Sequence, residues 1–306
     1  MKIVMTGSSG LIGTALSSSM ETNGDEVVRL VRRPPRSASE LQWNPAASRG
    51  GLDPAVLDGT AAAVNLAGAP VAAGRWTAAR KQEIQDSRIA TTRALTELLT
   101  ALPTPPGVLL SGSAIGYYGD TGGREVDESG PMGQGFLADV VRQWEAAAVP
   151  AAQAGIRVAY LRTGIVLARH GGVLKTLLPV FRLGLGARIG PGTQIMSWIT
   201  LSDWVRIARY LISDPGISGP VNLTAPQPAT NAEFTDALAA VAGHRARLGI
   251  PAAALQLGLG EVSGELLSSA RVIPRRLLDA GADGLWQSGD SVGPALATEL
   301  RASATR

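Results

Sequence analysis

The 306-residue chain has no cysteine, only two histidines, and aromatic residues at 4% of the total. Without cysteine there are no disulfides and no thiolate metal ligands, a composition that fits a reducing compartment. With His170 and His244 as the only imidazoles, a histidine-rich metal centre is excluded and no metal site is expected. Charge is sparse as well: charged residues make up 17%, and 28 Lys and Arg against 25 Asp and Glu leave a formal net charge of +3. No run of basic residues exceeds two, so the stripe that nucleic-acid binding requires is missing and no such partner is expected. Long apolar runs are lacking too. Ala61–Gly74 is interrupted by Asn65 and Pro70, so no membrane span is expected. An apolar run that begins at Lys2 and leads into a glycine motif leaves no room for a removable signal. These features together predict a soluble, cytoplasmic protein.

What remains is a chain rich in small aliphatic residues, 45% hydrophobic in all, enough for a sizeable core. The first half alternates short apolar runs with helical periodicity. Strands are predicted over Lys2–Thr6, Glu26–Val31, Ala61–Leu66, Gly107–Ser111 and Arg157–Arg162. Helices are predicted over Leu11–Thr22, Ala78–Leu102 and Gln134–Ala154. That alternation predicts an α/β fold, a doubly wound parallel Rossmann sheet. The second half is less regular. Helices are expected near Gly171–Leu183, Ser202–Ser213, Gln256–Leu267, Pro274–Asp279 and Val292–Arg301. Thr230 and Glu233 have capping-box spacing for another. We therefore expect a Rossmann domain over residues 1–165. Residues 166–306 are expected to form mostly a smaller C-terminal α/β cap that handles substrate, some segments returning to the main sheet.

The motif with most chemistry is Thr6-Gly7-Ser8-Ser9-Gly10-Leu11-Ile12-Gly13, directly after the first strand. In a phosphate-binding loop Gly7 makes the tight turn, Gly10 lets backbone approach a pyrophosphate, and Gly13 lets the helix pack close. Backbone N–H groups at the helix start then face the phosphates. A purely structural strand–turn–helix is the plainer alternative. The second strand ends in Val31-Arg32-Arg33-Pro34-Pro35, with no carboxylate to take ribose hydroxyls. Two guanidiniums at that place suit a 2′-phosphate, so NADP(H) is favoured over NAD(H). Simple surface arginines are the alternative.

The sequence resembles the atypical extended short-chain dehydrogenases of the epimerase family, often called sugar-nucleotide epimerase-like. The glycine loop carries the resemblance first. Asn65-Leu66-Ala67-Gly68, Arg75-Trp76, Ser87-Arg88, Thr92-Arg93, Ser111–Gly119, Trp144-Glu145-Ala146-Ala147, Leu161–Leu167, Phe181–Gly186, Gln194–Ile199 and Arg271–Leu277 continue it over nearly the whole chain. It implies NADP(H) binding, with Leu66, Ala67, Gly68, Glu83, Arg88 and Ile165 beside the cofactor. Two departures stand out. Thr200 replaces the histidine that usually follows Ser-Trp-Ile, and Ala282–Gly289 matches the family poorly.

Active members of that superfamily use Ser, Tyr and Lys, with Tyr and Lys at i and i+4 on one helix face. Here those positions hold Leu137 and Val141 or, shifted by one, Phe136 and Val140. Tyr–Lys catalysis is therefore not supported. Ser113 approximates the serine, and Tyr117 or Tyr118 is the candidate substitute acid; cleft packing is the alternative for each tyrosine. Asp127 and Glu128 could be acids or a solvated loop. Arg162 could meet an anionic substrate or form a buried ion pair. Asp203 reads as a helix cap, and His170 as either an acid/base group or a solvated loop residue. Trp198 and Trp204 suit packing or a cleft wall, and Gly184–Gly192 a lid or an ordinary turn. Two functions stay open. One is an NADP(H)-dependent oxidoreductase, epimerase or dehydratase acting on a carbonyl, carbinol or nucleotide sugar. The other is a non-catalytic NADP(H)-binding sensor or regulator. The sequence leaves monomer and homodimer equally open.

Overall fold

Seven short strands pair into one sheet: β1 (Lys2–Thr6), β2 (Glu26–Val31), β3 (Glu40–Gln42), β4 (Ala62–Asn65), β5 (Val108–Ala114), β6 (Arg157–Thr163) and β7 (Gly219–Leu223). The structure, a computed structural model, describes residues 1–72, 74–289 and 291–301. Strand order is β7-β6-β5-β4-β1-β2-β3, with every neighbouring pair parallel. The chain direction across the sheet reverses between β1 and β4. A crevice therefore opens at the carboxyl ends of those strands, the position where such sheets bind ligands.

Side chains alternate faces along a strand, and the two faces meet different partners. Ile3 and Met5 of β1 join a core with Leu16 and Met20 of α1 (Leu11–Thr22). Val4 points the other way, to the cluster holding Leu95, Leu98 and Leu99 of α2 (Ala78–Thr100). After β5 come α3 (Phe136–Ala146) and a separate short helix, Val149–Gln153. The single helix expected over Gln134–Ala154 is thus two. Pro150 has no N–H to offer the Ala146 carbonyl, so the ladder breaks there. β3 was not expected from sequence. It is three residues long, and none of them is buried.

Further helices follow, α4 (Gly172–Arg182), α5 (Leu201–Ser213), α6 (Asn231–Val241) and α7 (Val292–Arg301), with several two-stranded pairings. α5 lies beside α1, where Arg209 reaches Ser19, and Arg157 at the start of β6 donates to its Leu211 and Ile212 carbonyls. The Thr230–Glu233 capping box is present at the start of α6. Helix Ala252–Leu259 ends at Gly260, whose φ of 60° breaks the longer helix expected over Gln256–Leu267. One apolar cluster runs from the sheet through Trp204 and Leu211 of α5 and Phe234 of α6 to Leu296 of α7. No described helix is long and apolar enough to cross a membrane.

Candidate functional site: the crevice at β1, β2 and β4

The glycines after β1 are fixed by sterics. Gly7 has φ +69°, and a Cβ there would lie 2.5 Å from the Leu66 carbonyl carbon. The loop therefore presses on the backbone leaving β4. A Cβ on Gly13 would lie 2.2 Å from the Gly7 oxygen, so α1 can dock on its own loop only through glycine. Gly10 is the N-cap of α1, and no side chain caps that end. The first-turn N–H groups of this 12-residue helix stay open to an anion. Ser9 and Gly10 are exposed, Leu11 and Ile12 half-buried, and Ser8 buried.

Hydrogen bonds hold the loop after β4. Thr6 Oγ1 donates to Asn65 Oδ1 at 2.6 Å, and Asn65 Nδ2 donates to Thr92 Oγ1 at 2.7 Å. The ends of β1 and β4 are thus tied to α2 at the switch point. Ser87 Oγ accepts the Ala69 N–H at 2.9 Å, while an Arg88 guanidinium nitrogen donates to the Ala69 carbonyl at 3.0 Å. The two neighbours on α2 so grip both sides of one residue. Burial lowers the Arg88 pKa to about 10, and repulsion from Arg80 adds to it. Leu66 and Ala67 are half-buried and Gly68 is exposed against the Arg88 side chain. Glu83 stands exposed on α2 and pairs with Arg80.

At the end of β2 the two arginines differ. Arg33 makes a two-pronged pair with Glu40 of β3, at 2.8 and 2.6 Å. That hydrogen bond, helped by the Arg36 N–H, brings the Glu40 carboxyl down to about 2. Arg32 is exposed, and its guanidinium has no partner among the described residues. Ile165 lies across the crevice region in a short strand, Ile165–Ala168, that pairs with Trp198–Thr200. Gly171, just beyond it, packs on the Leu11 side chain.

The catalytic candidates meet a buried polar cluster. Ser113 Oγ donates to Glu145 Oε1 at 2.6 Å. Arg162 donates to both Glu145 oxygens, at 2.9 and 3.0 Å, and to the Tyr118 hydroxyl at 2.9 Å. The Tyr118 hydroxyl donates in turn to Asn222 Oδ1 at 2.8 Å. Burial pushes the Tyr118 phenol up to about 12 despite Arg162 beside it. Burial alone would lower the Arg162 pKa, but the Glu145 carboxylate more than offsets that, and the net shift is upward. Ser113 and Tyr118 thus have both hydroxyls engaged. Tyr117 is half-buried, its ring centroid 3.5 Å from the Arg162 guanidinium carbon, and its hydroxyl has no hydrogen-bond partner among the described residues. Leu137 of α3 covers Gly116, with Val141 one turn further. No phenol or amine occupies either the Leu137/Val141 or the Phe136/Val140 pair.

Sequence reasoning missed Glu145 as a member of this cluster, although its spacing from Leu137 and Val141, i, i+4 and i+8, placed it on their face. The ion-pair alternative for Arg162 is the one observed. Expected as a helix cap, Asp203 is not one: the cap of α5 is Thr200, whose Oγ1 accepts the Asp203 N–H. The buried Asp203 carboxylate instead accepts from Thr200 Oγ1 and from the N–H groups of Gln287 and Ser288, tying the helix start to a distant segment. Glu128 is no solvated acid. Buried, with its pKa raised by desolvation, it accepts the N–H groups of Asn222 and Arg276. Among the described residues no group of three acidic or histidine side chains is placed to hold a metal.

Comparison with known proteins agrees with this geometry. Residues 3–223 match the NAD dependent epimerase/dehydratase family, and residues 250–281 match a domain of unknown function, DUF1731. An epimerase family protein of Mycobacterium bovis, Mb2239, is 46% identical over 282 residues, covering 91% of this chain and 92% of that protein. The crystal structure of human epimerase family protein SDR39U1 with NADPH is 35% identical with a TM-score of 0.88, covering 98% of this chain and 99% of that one. A Corynebacterium glutamicum structure described as a nucleoside-diphosphate sugar epimerase is also 35% identical, with a TM-score of 0.79. There the match spans 98% of this chain but 58% of the other. By sequence match and by fold alike, this chain belongs to the NAD dependent epimerase/dehydratase family.

Proposed function

We propose that the protein binds NADP(H) in the crevice at β1, β2 and β4 and does not use Tyr–Lys chemistry. The observation that carries the cofactor reading is the uncapped, glycine-built start of α1 with the unpartnered Arg32 at the end of β2. Gly7, Ser8, Ser9, Gly10, Leu11, Ile12 and Gly13 would hold the pyrophosphate, and Arg32, with Arg33 beside it, the 2′-phosphate. Leu66, Ala67, Gly68 and Ile165 would flank the nucleotide, with Arg88 bracing the loop. The human relative solved with NADPH supports the same cofactor. A nicotinamide held there would be the group able to supply or accept a hydride.

The part of the chain after residue 165, with the exception of α5 and β7, which belong to the main sheet layer, would cover the crevice as a cap. The chain's own chemistry is the narrower question. Ser113 and Tyr118 are held in a buried network, and a phenol raised to about 12 keeps its proton at neutral pH. That favours a cofactor-binding protein whose central polar cluster is structural. One observation favours an enzymatic reading: the Tyr117 hydroxyl is unengaged on a partly open ring, and could hand a proton to a reduced carbonyl.

The experiment is fluorescence titration with NADPH and NADH, followed by a turnover screen with carbonyl compounds and nucleotide sugars. Arg32→Ala is expected to weaken NADPH by roughly tenfold or more, about 1.4 kcal/mol, and to leave NADH unchanged. Arg33→Ala is expected to do less, because that guanidinium is already bonded to Glu40. Equal loss for both nucleotides would overturn the 2′-phosphate assignment. Turnover that Tyr117→Phe abolishes would establish the enzymatic reading, and tight binding without turnover the structural one.

A further inference from the structure

A concavity of about 590 Å³ opens between α4, the C-terminal end of α6 and α7. A smaller one of about 230 Å³ shares Arg169, Leu178 and Arg182 with it. Their lining includes no residue of the glycine loop, of the β2 and β4 ends or of the Glu145 cluster. Lys175, Leu178 and Arg182 are spaced i, i+3 and i+7 on α4, so they form one stripe. Arg169 and His170 join from the turn before the helix, and among the described residues no carboxylate lines either space. The facing wall is small and apolar, with Ala240, Ala242 and Ala297.

The plain reading of these cations is helix capping, since α4 and α6 end here. Each C-terminus carries roughly −0.5 charge, about −1 in all, against three permanent cations. The α4 end has a cap outside the stripe, since His244 bonds the Arg182 carbonyl at 3.0 Å. Arg169 is engaged in part, donating to the Leu300 carbonyl at 2.7 Å. The Lys175 and Arg182 side chains are exposed and, among the described residues, have no ion pair or side-chain hydrogen bond. Capping leaves their charge unused, and the balance in the concavity stays positive.

We infer that this concavity is a second ligand site, for a soluble amphipathic anion. A phosphate or carboxylate head sits where the two spaces adjoin, among Arg182 and Arg169, which line both, and Lys175 of the smaller one; a hydrocarbon body lies in the larger on Leu178, Ala240 and Ala297. The guanidinium fork matches either head group, and the volume falls within the roughly 300–1,000 Å³ of small-molecule sites.

Calorimetric titration of the full chain with octyl phosphate, octanoate and inorganic phosphate tests this. Saturable binding of octyl phosphate and octanoate is expected, with inorganic phosphate at least about tenfold weaker, a step of roughly 1.4 kcal/mol. Lys175→Glu with Arg182→Glu should weaken both amphiphiles at least as much, as should Ala240→Trp, which fills the apolar wall. All three positions are exposed, so each variant should keep the parent's unfolding midpoint. Arg32→Ala should bind both as the parent does. No binding, binding untouched by the pocket variants, or equal affinity for inorganic phosphate would overturn the inference. So would co-sedimentation with phosphatidic-acid vesicles in place of soluble binding.

Discussion

Glu145 settles what Ser113 and Arg162 can do. Its carboxylate accepts a hydrogen bond from the serine hydroxyl and two from the guanidinium, while Arg162 is 4% exposed in its side chain. Removing one partner of such a pair strands a buried charge, which costs about 3–5 kcal/mol, whereas removing a neutral hydroxyl that bonds it costs about 1–3 kcal/mol. Glu145→Gln is therefore expected to destabilise more than Tyr118→Phe, measured as urea unfolding midpoints under matched conditions. The reverse order would show that the ion pair does not hold the cluster. This cluster was half legible in the sequence. Arg162 was read as either substrate contact or ion pair, and Ser113 and Tyr118 as catalytic candidates, because each carries its own chemistry. Glu145, the partner that Ser113 and Arg162 share, lies on another element 32 positions from Ser113; its place on the α3 face was readable, but its pairing with them was not. The same blindness applies to Arg33. Its charge was evident, but its pairing with Glu40 depended on β3 folding against β2.

Elements followed the sequence wherever a strong local rule governed them. The β1–loop–α1 unit was legible because glycine spacing, apolar run and helix start all agree. Its geometry also makes a sharp prediction. Gly13→Ala would set a Cβ 2.2 Å from the Gly7 oxygen, so α1 or the loop must shift. Overpacking of this kind costs about 1–3 kcal/mol. The shift also moves the first-turn N–H groups off the proposed pyrophosphate. Gly13→Ala is expected to lower the unfolding midpoint and to weaken NADPH and NADH alike, since both share the pyrophosphate. That contrasts with the selective effect of Arg32→Ala, and the same titration distinguishes them. Selective loss of NADPH in Gly13→Ala would contradict this placement of the loop. Where elements were misread, a single residue outweighed a long periodic pattern. Pro150 splits Gln134–Ala154, and Gly260 splits Gln256–Leu267. Periodicity averages over a window and so passes across such a break. β3 escaped for the opposite reason. Glu40, Leu41 and Gln42 show no apolar run, and only the edge of β2 makes them a strand.

Across the whole molecule, segments far apart in sequence complete one another. β7 comes from the second half of the chain yet finishes the sheet beside β6. Arg75 donates to the carbonyls of Leu257 and Gly258, linking the approach to α2 with the later helices. The two places read from the sequence as departures from the family it resembles also meet. Thr200, where that resemblance leads one to expect histidine, lies 3.0 Å from the Ser288 hydroxyl, inside the Ala282–Gly289 segment. Thr200 is fully buried, caps α5 through the Asp203 N–H, and donates to the Asp203 carboxylate at 2.7 Å. That carboxylate in turn accepts the N–H groups of Gln287 and Ser288. The small hydroxyl at 200 and the serine at 288 are thus one packed solution. Putting the family residue back should therefore harm this protein. Thr200→His forces an imidazole into a filled site, at about 1–3 kcal/mol for overpacking, and removes a hydroxyl cap worth about 1 kcal/mol. Denaturant unfolding is expected to show a loss of that order. Hydrogen exchange should rise at Gln287 and Ser288, whose N–H groups rest on Asp203, and stay unchanged along β1 and β4. Unaltered stability in Thr200→His would mean that the two departures arose independently and that the segment around Ser288 tolerates either residue.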